Sequence, residues 1–410
     1  MTPRHAPTLM SLLMVGLVST LQVARAAVDL PETRVANTEL RSLRSQFERP
    51  VAIPQPENNP ITAQKVTLGQ MLFFDPRLSG SGVISCATCH NPGLGWSDGR
   101  PKGLGHLGAQ LGRHTPTILN VAFGEPYFWD GRAASLEDQA KGPLTSAKEM
   151  NMSVEAAIPM LRSIPGYVDA FSRAYPGQPI CLDTVAAAIA TFERTVNSKE
   201  APFDRWVKGD DSAISTEAVR GFALFTGKAN CAACHMSWRM SDDGFHDIGL
   251  PDTDKGRAAI APGIVQLERA FKTPTLRNIN QRAPYMHDGS LPTLAAVIDH
   301  YSDTFEARPS LDANMHRLGL TKEEKALLVA VQPQTAGSIF EAKPTAAAWH
   351  SKPSWFIVAS NDNMIAPEQE KSMAKQIGAI TFVLPSSHVA MLSHPKEVAN
   401  VIEDAAAGKK

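Results

Sequence analysis

Four stretches of the chain place apolar residues at the 3.6-residue spacing of a helix buried along one side: "LGQMLFFDPRLSGSGVIS" (68–85), Leu182 to Val196, "AVRGFALFTGKAN" (218–230) and Thr293 to Tyr301. The first and third run out into glycine-containing turns, so each predicts a helix followed by a tight reversal. Beyond Ala330 the pattern changes. An apolar strand from Trp355 to Ala359 is followed by a turn, a helix, a second strand from Ile380 to Leu384, the triplet Ser386-Ser387-His388 and a last helix. At the other end, Arg4 and His5 precede the apolar run Leu9 to Leu21, and Ala24-Arg25-Ala26 closes it. A basic start, a short apolar core and a small-x-small ending predict a secretory signal peptide over 1–26, cleaved after Ala26 and too short to be a membrane anchor. The mature chain is expected to have no membrane span.

With 410 residues, the chain is long enough for two or three domains. A net charge of −1 leaves no basic excess for a nucleic-acid partner. Export brings in the five cysteines, because an oxidising compartment turns free thiols into disulfides unless something else engages them. Four of them fall in two units, Cys86-Ala87-Thr88-Cys89-His90 and Cys231-Ala232-Ala233-Cys234-His235. Cys181 is left over and reads as a small buried hydrophobe.

A CxxCH unit puts two thiols on one turn, where each can form a thioether with a haem vinyl group, and aims the next histidine at the iron. A shared zinc site is the alternative for paired CxxC sequences, but the two pairs are far apart and each has its own histidine. A thioredoxin-type redox pair would need a βαβ setting that neither unit has. Two covalently bound haem c groups are therefore expected, with Cys86, Cys89, Cys231 and Cys234 as anchors and His90 and His235 as iron ligands.

The segments around these units carry a family resemblance. "LFFDPRLSG" before the first, "FWDGRAASLEDQAKGPLTSAKEMNM" (128–152) between them and "FKTPTLRNINQRAPYMHDGSLPTLAAVIDHY" (271–301) after the second resemble the bacterial di-haem cytochrome c peroxidases and their methylamine-utilisation (MauG) branch, from about residue 50 to about 330. The resemblance implies a mainly α protein of two cytochrome c-like domains, 27–195 and 196–330. The first haem, on His90, would react with peroxide; Trp129 would relay electrons; Gln139 would line the distal pocket; Glu149 would be the acid-base carboxylate. The second haem, on His235, would transfer electrons. Its other axial ligand falls fourteen residues past His287, at Tyr301, where peroxidases have methionine and the MauG group tyrosine. Met286 and Met315 are the alternatives if the register slips. His106, in "GLGHLG", stands where peroxidases keep a histidine that caps the first haem, which MauG lacks. His114 replaces an asparagine that helps the family bind calcium, and a ring nitrogen suits that hard cation poorly, which makes calcium a doubtful cofactor.

The tail, 331–410, resembles the last quarter of an α/β-hydrolase, with Asp362 and His388 at the places of that family's acid and base. The one G-x-S-x-G, Gly95 to Gly99 around Ser97, directly follows a haem-binding motif instead of a buried strand, so no hydrolase activity is expected. The reading that the resemblance favours is a periplasmic enzyme reducing hydrogen peroxide with electrons from a small donor such as a cytochrome c or a cupredoxin. A MauG-like enzyme oxidising residues of a partner protein is the nearest alternative. A non-catalytic di-haem carrier is the alternative from another class, and it would have no use for Glu149 or Gln139.

Overall fold

The computed structural model describes residues 42–330, 353–362, 366–386, 390 and 394–408; the predicted signal segment and His388 lie outside them. The chain divides into two units, Met1–Thr335 and Ala336–Lys410. No helix among the described residues is long and apolar enough to cross a membrane.

The first half of the larger unit runs through α1 (Ala63–Phe73), the single turn α2 (Cys86–Cys89), α3 (Leu136–Thr145), α4 (Val154–Ser163), α5 (Pro165–Ala174) and α6 (Leu182–Arg194). Side-chain oxygens start several of these helices by taking up otherwise orphaned amides: Thr62 accepts from Lys65 and Ser135 from Asp138. Leu68, Leu72 and Phe73 of α1 and Val185, Ala186, Ala188 and Ile189 of α6 are fully buried, the stripe that the periodicity predicts. Gly69 marks the crossing of α1 and α6. A Cβ there would stand 2.0 Å from the Ala188 carbonyl oxygen, so the two backbones touch where only glycine fits. α3 packs on the other side of α6. A polar seam ties the three helices: Arg194 grips Glu137 through two bonds of 2.8 Å, Asn59 donates to Glu137 at 2.7 Å, and the Lys65 ammonium donates to Asn59 at 3.0 Å.

The second half of this unit holds α7 (Pro202–Val207), α8 (Thr216–Thr226), the two-residue antiparallel strands β1 (Phe245–His246) and β2 (Phe271–Lys272), α9 (Leu294–Asp299) and α10 (Lys322–Ala330). Phe47, Trp206 and Phe222 form its buried aromatic cluster, and Arg277 reaches Asp204 at 2.8 Å behind it. The helix expected over Thr293–Tyr301 is cut short: α9 ends at Asp299 and passes into a π-helical turn, His300–Thr304. Such wide turns insert one residue and re-aim the side chains beyond it.

Two expectations need correction or placing. Cys181 is half-buried and not a core residue: it precedes α6, its amide donating to Thr184 Oγ1 at 3.0 Å. Ser97 sits in a loop and not after a strand, and its fully buried hydroxyl donates to the Thr115 carbonyl at 2.7 Å.

The smaller unit contains β3 (Trp355–Ala359), α11 (Pro367–Gln376), β4 (Ile380–Leu384) and α12 (Pro395–Ala406). The strands pair in parallel, Trp355 opposite Ile380 and Ala359 opposite Leu384, with the helix between them as crossover. Glu370 of α11 takes the Ala359 amide at 2.7 Å, and Asp362 is buried just past β3.

Candidate functional site

Each CxxCH motif is a tight turn that presents its histidine in the same way. At the first, Thr88 Oγ1 accepts the Ser85 amide at 2.9 Å, and the His90 amide donates to the Cys86 carbonyl at 2.8 Å. At the second, Asn230 adopts a left-handed conformation and the His235 amide donates to the Cys231 carbonyl at 2.9 Å. His90 Nδ1 then lies 3.3 Å from the Trp96 carbonyl, and His235 Nδ1 2.8 Å from the Met240 carbonyl. A carbonyl can only accept, so both rings carry their proton on Nδ1, which leaves Nε2 as the unprotonated nitrogen. Burial pushes both imidazoles below the usual histidine range, which keeps them neutral. Neutral, oriented nitrogen next to two unpaired thiols is the donor set that covalent haem requires, so the residues fit the group.

One mostly apolar cavity of about 300 Å³ gathers His90, Trp129, Gln139, Cys231, Cys234, His235 and Tyr301. Met286 and Met315 line it too. Trp129 is held from both halves of the unit: its indole N–H donates to the His114 carbonyl at 2.8 Å, and its own carbonyl accepts from the Lys272 amide of β2 at 2.8 Å. Gln139 projects from α3, half-buried. Tyr301 rides on the π-helical turn; burial pushes its phenol up, and the nearness of Cys234 and Cys231 pushes it further.

Glu149 and His106 are not among the residues lining this cavity and stand together elsewhere. The His106 amide donates to the Lys148 carbonyl at 3.0 Å, and a Cβ on Gly105 would come within 2.9 Å of the Glu149 Cα, so the glycine loop presses on the turn that carries the carboxylate. Burial raises the Glu149 carboxyl above its usual range, opposed by the Arg132 charge and a bond to Ser146. Cys89 feels that carboxylate: its thiol is pushed up to about 11, first by burial, then by Asp98 and Glu149. His106 Nδ1 is buried without a hydrogen-bond partner among the described residues. His114 points its Nδ1 at the Arg100 carbonyl, 2.6 Å away, and its Nε2 lies 3.5 Å from Ser97 Oγ. Its side chain offers calcium no oxygen, so this position does not fit that ion.

Three features escape a reading of the residues alone. His246 stands between Asp312 (2.6 Å to Nδ1) and Asp242 (2.8 Å to Nε2); the bond to Asp242, with Cys234 and Asp312 adding, pushes it up to about 11. Cys234, Asp242 and His246 come close enough to suggest a metal site, but a thioether to haem would take the sulfur. Arg282 is buried on the cavity wall with no carboxylate partner among the described residues. Glu193 is buried on the same wall, and burial pushes it up to about 8. Only Glu193 left a signal: it falls four residues after buried Ile189, on the apolar side of α6.

Comparison with known proteins agrees with this geometry. The family model described as di-haem cytochrome c peroxidase matches residues 63–212. A model of the α/β-hydrolase family matches 229–401, a range that takes in the second CxxCH motif as well as the β3–α11–β4 segment. The chain is 52% identical over 295 residues to the methylamine utilization protein MauG of Methylorubrum extorquens, covering 71% of this chain and 84% of that one. It is 40% identical over 253 residues to the cytochrome c551 peroxidase of Pseudomonas aeruginosa, covering 59% and 72%. Among solved structures, a MauG-like protein associated with microbial copper homeostasis superposes with a TM-score of 0.65 at 31% identity, over 70% of this chain and 93% of that one. Relatives of this similarity over most of their length, together with two haem-attachment turns facing one cavity, place the protein in the di-haem cytochrome c peroxidase/MauG family: it is a peroxidase-type oxidoreductase with two covalently bound c-type haems.

Proposed function

We propose that the protein uses hydrogen peroxide at the haem on His90 to oxidise a partner protein's side chains, in the manner of the MauG branch. When bound, haem supplies the iron at which the O–O bond breaks and on which oxidising equivalents are kept. Glu149 would move a proton between the two oxygens of peroxide, and burial, which raises its carboxyl above the usual range, favours its taking up that proton before giving it back. Gln139 orients the peroxide by hydrogen bonding, and Trp129 relays electrons between the two halves of the cavity. His235 and Tyr301, both on the cavity wall, would hold the second haem. Tyr301 carries the choice of branch: phenolate oxygen stabilises oxidised iron, which suits a haem that stores oxidising power better than one that merely passes electrons on. The 52% identity to a MauG supports the same choice.

A second reading, peroxide reduction fed by a cytochrome c or cupredoxin, has its own observation. His106 is packed beside the Glu149 turn with a ring nitrogen that has no partner among the described residues, as a histidine capping the first haem would be. We also infer a division into haem domains 27–195 and 196–330, an α/β-hydrolase-like fragment from 331 that performs no hydrolysis, and a periplasmic site of action. Electron paramagnetic resonance of the ferric protein, before and after addition of one electron per molecule, tests the assignment. A high-spin haem present at rest supports the MauG type. A high-spin haem that emerges only on half-reduction supports the donor-fed peroxidase, and two haems low-spin throughout would mean a plain carrier.

A further inference from the structure

We propose that Arg282 is the counter-ion of a haem propionate, binding a carboxylate of one of the two macrocycles inside the cavity that His90 and His235 share. The inference rests on haem being bound and not on whether peroxide or a partner protein is the substrate.

Arg282 is only 6% exposed and lines that cavity. Its hydrogen bonds all run to backbone oxygens: Nη2 donates to the carbonyls of Thr275 at 2.7 Å and Arg277 at 2.9 Å, and Nε to the carbonyl of Asn278 at 3.4 Å. No acidic side chain lies within ion-pair distance of it among the described residues, whereas the other four buried arginines of this unit have one: Arg44 pairs with Asp211, Arg194 with Glu137, Arg239 with Asp243 and Arg277 with Asp204. Guanidinium cannot shed its proton at physiological pH, so burying one without an anion is strongly unfavourable. Three carbonyl dipoles hold the fork in place but supply no net charge.

The missing negative charge must come from the cavity. Haem brings two carboxylates with each macrocycle, and a planar fork matches a carboxylate better than any other ligand. Position also suits. A Cβ on Gly95 would stand 2.9 Å from Arg282 Cγ, and Gly95 adjoins Trp96, whose carbonyl orients His90. The side chain thus runs from the loop beside the first haem ligand to the Thr275–Asn278 backbone of the second half, and can meet a propionate from either side.

The test uses the full-length protein carrying both haems. Arg282→Gln should keep both thioether-bound haems by mass while lowering the midpoint potential of one of them, because a nearby cation favours the reduced state. At a fixed solution potential, the ratio of reduced to oxidised haem at that centre should fall on the order of tenfold. Arg282→Lys, which keeps the charge, should restore most of that loss. Resonance Raman spectra should show the propionate bending band shifted in both variants, since each changes the hydrogen bonds to the carboxylate, and the haem whose band moves identifies the partner. If Arg282→Gln does not fold, a crystal structure of the wild-type holoprotein decides: a guanidinium nitrogen about 2.8 Å from a propionate oxygen is expected. Unchanged potentials and bands in a folded Gln variant, or a guanidinium that meets only carbonyls and water in the holoprotein, overturn the assignment.

Discussion

The indole of Trp129 donates to the carbonyl of His114 at 2.8 Å, and the His114 amide in turn donates to the carbonyl of His287 at 2.7 Å. One hydrogen-bonded line therefore joins the tryptophan to the loop ahead of α9, the helix that runs on into the Tyr301 turn. Trp129→Phe keeps most of the packing and breaks the line at its first bond. Stopped-flow spectra after rapid mixing with peroxide should show equilibration between the two haems slowed about tenfold or more, on the scale of 1.4 kcal/mol of barrier. Equal rates in the variant would remove Trp129 as the relay.

Glu149 is expected to act on protons and not on haem attachment. Glu149→Gln should slow the reaction with peroxide by about 10² or more while both haems stay in place, and Glu149→Asp should recover part of the loss. Peroxide kinetics, with haem content by absorbance as the control, separate the two effects.

Tyr301 and the two nearby methionines make different predictions for the second haem. Tyr301→Phe should change the spin state and absorption spectrum of the haem on His235 and raise its potential, since oxygen donation to ferric iron is lost. Met286→Leu and Met315→Leu should leave that spectrum as it is. A change in either methionine variant, with Tyr301→Phe silent, would move the ligand assignment to sulfur.

Glu193 links stability to pH. Its carboxyl is held up to about 8 by burial, opposed by Arg194 and reinforced by Glu137, so the folded protein keeps a proton that the unfolded chain releases near 4.5. Between those values the folded state binds more protons, and stability must fall as pH rises through them, with a total effect of a few kcal/mol, on the order of what one strongly shifted carboxyl contributes. Thermal melts of Glu193→Gln and the parent protein should therefore converge in mild acid and separate toward pH 8, with the variant melting higher. Parallel melting curves across that range would falsify the shared role of burial and proton.

The residues that local order controls could be read from the chain directly. A CxxCH turn closes through a bond from its histidine amide to its first cysteine, and the carbonyl that orients each ring, of Trp96 or Met240, follows within six residues, so His90 and His235 are aimed locally, and the buried stripes of α1 and α6 follow from spacing within one helix. The register of the family motifs carried Trp129, Gln139 and Tyr301 to the wall of a common cavity. Other properties depended on segments far apart in sequence. Arg282 is held by the Thr275, Arg277 and Asn278 carbonyls that its loop folds around it, His246 is charged because Asp242 and Asp312 close on it from two sides, and Glu193 is protonated because the fold buries it. Geometry that hydrogen bonds enforce over four residues is written locally, whereas the energy of a charge depends on everything within several ångströms in space, which only the folded chain assembles.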